Sequence, residues 1–73
     1  MGPDPKARLL GLLYEAKHAA LDEKAAAWEM FYAEVDRVRA PTPYSRQQVK
    51  ELLLKDGYLD YARRRRQAEH LGL

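Results

Sequence analysis

The residues from Pro5 to about Arg39 form an almost unbroken helical pattern that takes up about half of this 73-residue chain. Asp4 followed by Pro5 is typical of a helix start, because the Asp side chain can accept from free backbone N–H groups and Pro at the first helical position loses no hydrogen bond. Polar residues then recur at steps of three and four, which predicts one solvent-facing stripe. The stripe consists of Arg8, Gly11, Glu15, His18, Asp22, Glu29, Asp36 and Arg39, with Ala25 and Tyr32 as its exceptions. We therefore predict a single helix over residues 5–39.

The opposite side of this predicted helix is apolar over a wide arc. From this arc we predict a partner or oligomer interface formed by Leu9, Leu10, Leu13, Ala20, Ala27, Trp28, Phe31 and Val35. A helix of this length would reach roughly 50 Å, which is long for a domain of this size. Gly11 and the charged patch at residues 22–24 are the places where it could break. Because Gly inside a helix costs only about 1 kcal/mol, we expect one continuous helix.

A proline-rich turn at residues 40–43 ends this pattern. Pro41 and Pro43 lack the N–H needed to continue a helix, and each disfavours the α conformation in the residue before it. Ser45 and Gln48 follow with the spacing of a capping box, so a second helix is predicted at about 45–56.

Gly57 is predicted to end the second helix in a left-handed conformation, so that a third helix covers about residues 58–70. The alternative is one helix that continues through Gly57. We therefore expect an all-α fold with one helical domain over residues 1–73. In it, a long N-terminal helix and two shorter C-terminal helices fold back as a helical hairpin.

The size of the chain favours an oligomer. A chain this short buries only about 60% of its unfolded surface, and the absence of cysteine removes disulfides as a source of stability. We therefore expect a dimeric helical bundle. The absence of Asn and Cys is typical of thermophile proteins. No apolar run is long enough for a membrane span and no signal peptide is visible, so we expect no membrane association and a cytoplasmic location.

Glu15 and His18 have the Glu-x-x-His spacing of ligands in di-iron helical bundles. Such ligands project into the bundle, whereas this pair lies on the predicted polar stripe. An ordinary solvated helix face is therefore the favoured interpretation, and metal binding in an oligomer is the remote alternative.

The chain has a net charge of +2, and most of its basic excess comes from Arg63, Arg64, Arg65 and Arg66. Four consecutive residues on a helix point in directions about 100° apart, so this run has no buried face of its own. Arginines near tyrosines can hold phosphates and stack bases, which makes nucleic-acid binding the second candidate function. The competing interpretation is a solvated, salt-bridged helix end.

No catalytic arrangement is visible. Ser45 is explained as a helix cap, and neither His18 nor His70 has a nucleophile to activate, so we expect no enzyme activity and no cofactor. The sequence therefore favours a small protein–protein interaction module, an adaptor or regulator that acts through an apolar helix face and forms a homodimer.

Overall fold

The computed structural model describes residues 4–72, and these residues form four helices and no strand. The helices are α1 (Pro5–His18), α2 (Lys24–Arg39), α3 (Arg46–Lys55) and α4 (Tyr58–His70). The expected all-α class is confirmed.

The prediction of one continuous helix over residues 5–39 is wrong, because the chain leaves the helical conformation between α1 and α2. Ala19 is extended at φ −65° and ψ 150°, and a turn follows in which Glu23 N–H donates to the Ala20 carbonyl over 2.9 Å. The break includes part of the charged patch at residues 22–24, whereas Gly11 stays helical. The antiparallel hairpin is therefore formed by α1 and α2, and not by a long first helix and the C-terminal helices.

Burial explains why the break is favoured. It lets α2 fold back on α1, and Leu13, Phe31 and Val35 become fully buried. Each such side chain contributes about 1.5–3 kcal/mol when it leaves water. A continuous helix would gain a few backbone hydrogen bonds, each worth about 1 kcal/mol net, but would leave these side chains exposed.

Local signals set the other helix ends. The Asp4 side chain accepts from Lys6 N–H over 3.1 Å at the start of α1. The predicted capping box is present at the start of α3, where Gln48 N–H donates to Ser45 Oγ over 3.2 Å and Ser45 N–H donates to Gln48 Oε1 over 2.8 Å. Gly57 separates α3 from α4 with a positive φ of 110°, which a residue with a Cβ atom rarely adopts.

All four helices contribute to one core. Its buried members are Leu9, Leu10, Leu13, Tyr14, Phe31, Val35, Leu53, Tyr58 and Ala62. α3 packs beside α2, with Lys50 Nζ 4.8 Å from the Trp28 ring centroid. α4 crosses α1 where Gly11 lies opposite Tyr61, and a Cβ atom on Gly11 would lie 3.1 Å from the Tyr61 hydroxyl oxygen. None of the helices within residues 4–72 has the length and apolar character needed to cross a lipid bilayer.

Candidate functional site

Most of the predicted interface residues lie inside the protein. Leu9, Leu10, Leu13, Phe31 and Val35 are buried in the core of the single chain. These five side chains are therefore not available at the surface of the single chain. The reason is the break after α1, since the apolar arc of residues 5–39 closes on itself when α2 folds back.

The other three predicted interface residues have different surroundings. Ala20 is exposed in the connection between α1 and α2, and Ala27 is half-buried. Trp28 is half-buried and packs against Tyr32 in a stacked geometry, with 5.8 Å between the ring centroids. Lys50 of α3 lies over the same indole. Trp28 therefore mainly joins α2 to α3, and Ala27 is the predicted residue that faces an open groove.

That groove lies on the α1–α2 hairpin and has a volume of about 410 Å³. We call it the outer groove, and its lining residues are Leu12, Glu15, Ala19, Glu23, Ala26, Ala27 and Met30. The Met30 side chain is 60% exposed, and Leu21 in the neighbouring connection is 92% exposed. Small alanines thus form much of a concave apolar surface, with a large flexible side chain at its edge.

The two ends of this face carry opposite charge. Arg8 lies one turn before Leu12 on α1, and Arg37 lies two turns after Met30 on α2. Both arginines are therefore on the same side of their helix as the residues that line the groove. Both bind the same carboxylate: Arg8 Nε lies 3.2 Å from Glu34 Oε1, and Arg37 pairs with Glu34 Oε2. The hydrogen bonds from Arg37, and after them those from Arg8, hold the pKa of Glu34 below its ordinary value. Two guanidinium groups share one carboxylate, so this group of three side chains has a net charge of +1.

The opposite end of the outer groove is acidic. Glu23 lines it and is exposed, and Asp22 precedes Glu23 in the connection. Glu15 also lines the groove, but its carboxylate pairs with Arg65 of α4. Asp22 and Glu23 are the carboxylates at this end that form no ion pair within residues 4–72. Lys24 lies at the same end, but its Nζ is directed to the Lys17 carbonyl oxygen, 3.5 Å away.

The structure divides the arginine run into one half-buried residue and three exposed ones. Arg65 pairs with Glu15, donates from Nη1 to the Tyr61 hydroxyl over 2.9 Å, and lies 4.8 Å from the Tyr14 ring centroid. The hydrogen bond to Glu15 is the main cause of its raised pKa. Arg63, Arg64 and Arg66 are exposed and form no ion pair with a carboxylate of residues 4–72.

A second cleft, of about 430 Å³, lies along α4. We call it the basic cleft, and it is lined by Tyr58, Leu59, Ala62, Arg63, Arg66, Gln67 and His70. The Tyr58 hydroxyl is buried and has no hydrogen-bond partner within residues 4–72. Burial raises the pKa of Tyr58, while the positive charge of Arg66 acts in the opposite direction.

The residues of the remote metal alternative have other partners. Glu15 is held by Arg65, and a guanidinium beside a carboxylate opposes the approach of a metal cation. His18 Nδ1 lies 2.9 Å from the Tyr14 carbonyl oxygen, and the two rings stack with centroids 4.2 Å apart. Residues 4–72 contain no group of three or more His, Cys, Asp or Glu side chains arranged for a metal.

Sequence reasoning missed the central role of Leu12, Ala26 and Met30 on the open face. Their spacing was visible, since Ala26 and Met30 are four residues apart and share one side of a helix. The folded-back position of α2 was needed to show that this side remains uncovered.

Comparison of the chain with protein-family models, with curated proteins and with solved structures finds no match.

Proposed function

We propose that this chain is a non-enzymatic interaction module whose outer groove docks a second copy of itself. The observation that supports this proposal is the combination of an apolar groove with opposite charges at its two ends. A surface of this kind is self-complementary when two copies meet in antiparallel orientation about a two-fold axis. Each basic end would then face the acidic end of the other copy.

Shape favours the same arrangement. Ala19, Ala26 and Ala27 have small side chains, so a helix of a second copy can approach the groove closely. Met30 stands at the edge of each groove, and a two-fold axis through the groove centre directs it into the alanine surface of the partner. Methionine fills irregular apolar gaps well because its side chain is flexible and polarisable.

The exposed area is larger than that of a typical folded monomer of the same mass. The structure exposes 5548 Å², whereas a folded monomer of this mass exposes about 4,700 Å². The excess of roughly 850 Å² is close to the area of about 800 Å² that each partner buries in a standard interface. A dimer would bury part of this exposed area and add the stability that a small core lacks.

The test is analytical ultracentrifugation of the wild type and of Met30→Glu. We expect the wild type to form a dimer in the micromolar range. Met30→Glu places a carboxylate in the groove and should weaken dimerisation by about tenfold or more, since an unpaired charge buried at an interface costs more than 1.4 kcal/mol. Met30 is largely exposed in the single chain, so circular dichroism should show unchanged helicity. Leu59→Glu is the matched control, because Leu59 is 72% exposed on α4, outside the groove.

A charge-reversal pair tests the antiparallel orientation. Glu23→Arg alone should weaken the dimer, because it places positive charge opposite the partner's basic end. Adding Arg37→Glu to the same chain should restore affinity. A wild type that stays monomeric throughout the micromolar range would overturn the proposal, as would a Leu59→Glu variant that dissociates as readily as Met30→Glu.

A further inference from the structure

The basic cleft on α4 shares no lining residue with the outer groove, so it offers this chain a second and independent surface. We infer that the basic cleft binds the phosphodiester backbone of nucleic acid, with Arg63 and Arg66 as its principal phosphate contacts. The inference goes beyond dimer formation and does not depend on it.

Arg65 sets the orientation of this surface. Its pairing with Glu15 and its hydrogen bond to Tyr61 hold one side of α4 against α1. Because consecutive helix residues point about 100° apart, fixing Arg65 inward leaves Arg63 and Arg66 to line the open side. Within the arginine run, Arg65 therefore holds α4 against α1, whereas Arg63 and Arg66 carry the charges that face the open side.

No carboxylate lines the cleft, and neither Arg63 nor Arg66 forms an ion pair with a carboxylate of residues 4–72, including that of Asp60 one turn before Arg63. Glu69, the nearest acidic residue toward the end of α4, is occupied on the other side, where it accepts from the Tyr14 hydroxyl over 2.9 Å and lies 3.8 Å from Arg65 Nε. Lys17 adds a further cation, with Nζ 5.2 Å from the centroid of the Tyr58 ring that lines one end of the cleft. Such a concentration of one sign of charge attracts an anion.

The dimensions favour an extended polyanion over a single phosphate group. Arg63 and His70 are seven residues apart on one helix, which separates them by roughly 10 Å along its axis. Gln67 lies between them, and its amide can both donate to and accept from base edges.

A membrane surface fits this face less well. An interfacial helix needs an apolar side to insert below the headgroups. In and directly after α4, the exposed large apolar side chains within the described residues are Leu59 and Leu71. They lie twelve positions apart with cations and polar groups between them, so no continuous apolar side is available.

Fluorescence anisotropy with labelled duplex and single-stranded oligonucleotides of mixed sequence tests the inference. The wild type should bind at about 50 mM salt, and log affinity should fall linearly with log salt concentration with a slope near −3 for about three phosphate contacts on a duplex. Arg63→Gln/Arg66→Gln should reduce the magnitude of that slope by about 2. Both side chains are exposed, so the variant should keep its helicity.

The matched control is Lys24→Gln/Lys50→Gln, which removes the same two charges from α2 and α3 and should leave the slope nearly unchanged. A binding assay with vesicles that contain phosphatidylserine tests the alternative that this surface binds a membrane. The inference is overturned by a lack of oligonucleotide binding at low salt, by equal effects of the two double variants, or by binding to vesicles alone.

Discussion

Gly57 links α3 to α4 in a backbone conformation that alanine would resist, so Gly57→Ala provides a direct test of the way the chain turns. At φ 110°, an L-residue with a Cβ atom costs about 1–2 kcal/mol relative to glycine. The added Cβ would also lie 3.2 Å from Lys6 Cε and 3.8 Å from Leu10 Cδ1. The Lys6 side chain is about half exposed and can move aside, so backbone strain should dominate.

The expected loss of 1–2 kcal/mol is large for a domain of this size. It corresponds to a fall in Tm of about 5–15 °C. Far-UV circular dichroism during heating and urea unfolding followed by Trp28 fluorescence both measure it. Gly72→Ala is the matched control, because Gly72 also has a positive φ, of 77°, but no atom within 4 Å of an added Cβ. The strain of a positive φ applies there too, but Gly72 lies after the last helix, where the backbone can leave that conformation without disturbing the core, so we expect a loss below about 0.5 kcal/mol.

The double variant Gly57→Ala/Lys6→Ala separates strain from crowding. If strain dominates, the effects of the two substitutions should add within about 0.5 kcal/mol. Recovery of most of the lost stability in the double variant would refute the strain argument. A Gly57→Ala protein as stable as the wild type would refute the need for a positive φ altogether.

Two further predictions concern polar groups. Hydrogen bonds from Arg46 and, to a smaller extent, from Arg39 lower the pKa of Asp36 from 3.8 to about 2. The ionised carboxylate therefore stabilises the fold above about pH 4, and this contribution is lost as the pH falls toward 2. Acid titrations of unfolding free energy should therefore show a shallower decline over that interval in Asp36→Asn, and an unchanged decline would contradict the ion pair. Tyr58→Phe removes the hydroxyl that is buried without a partner in residues 4–72. Because burying an unpaired hydroxyl costs desolvation free energy, urea titrations should show that the variant is more stable by about 1 kcal/mol. A clear loss of stability would show that the hydroxyl has a partner.

Structural features that depend on a few neighbouring residues could be predicted from the sequence. The Asp4–Pro5 start, the capping box of Ser45 with Gln48, and the helix stop at Gly57 all involve groups within four positions of each other. Such groups meet whenever a helix forms, so their chemistry predicts the structure directly.

The break between α1 and α2 could not be predicted from neighbouring residues in this way. The residues around it are mostly alanines and charged residues that favour helix, and Glu23 makes no side-chain cap hydrogen bond at the start of α2. The break is favoured because Leu13, Phe31 and Val35 become buried together. That benefit depends on residues far apart in sequence, so local propensity predicts the opposite result.

The same limit applies to the surfaces. Choosing interface residues by hydrophobicity selected Phe31 and Val35, but the most apolar residues are the first to enter a core. Likewise, four consecutive arginines are equivalent in the sequence. Glu15 lies fifty positions before Arg65, and only the folded chain shows that it distinguishes this arginine from the others.

The contacts between α1 and α4 also determine the order in which this fold can assemble. Glu15–Arg65 and Tyr14–Glu69 join residues 50 and 55 positions apart, whereas α1 and α2 are neighbours in the chain. Closing a short loop costs less entropy, so the α1–α2 hairpin should form first. During synthesis this hairpin also emerges before α4, and Leu10 and Tyr14 remain in contact with water until α4 arrives. We therefore expect the nascent chain to expose, before α4 is complete, an apolar surface that the finished fold covers and that chaperones can bind.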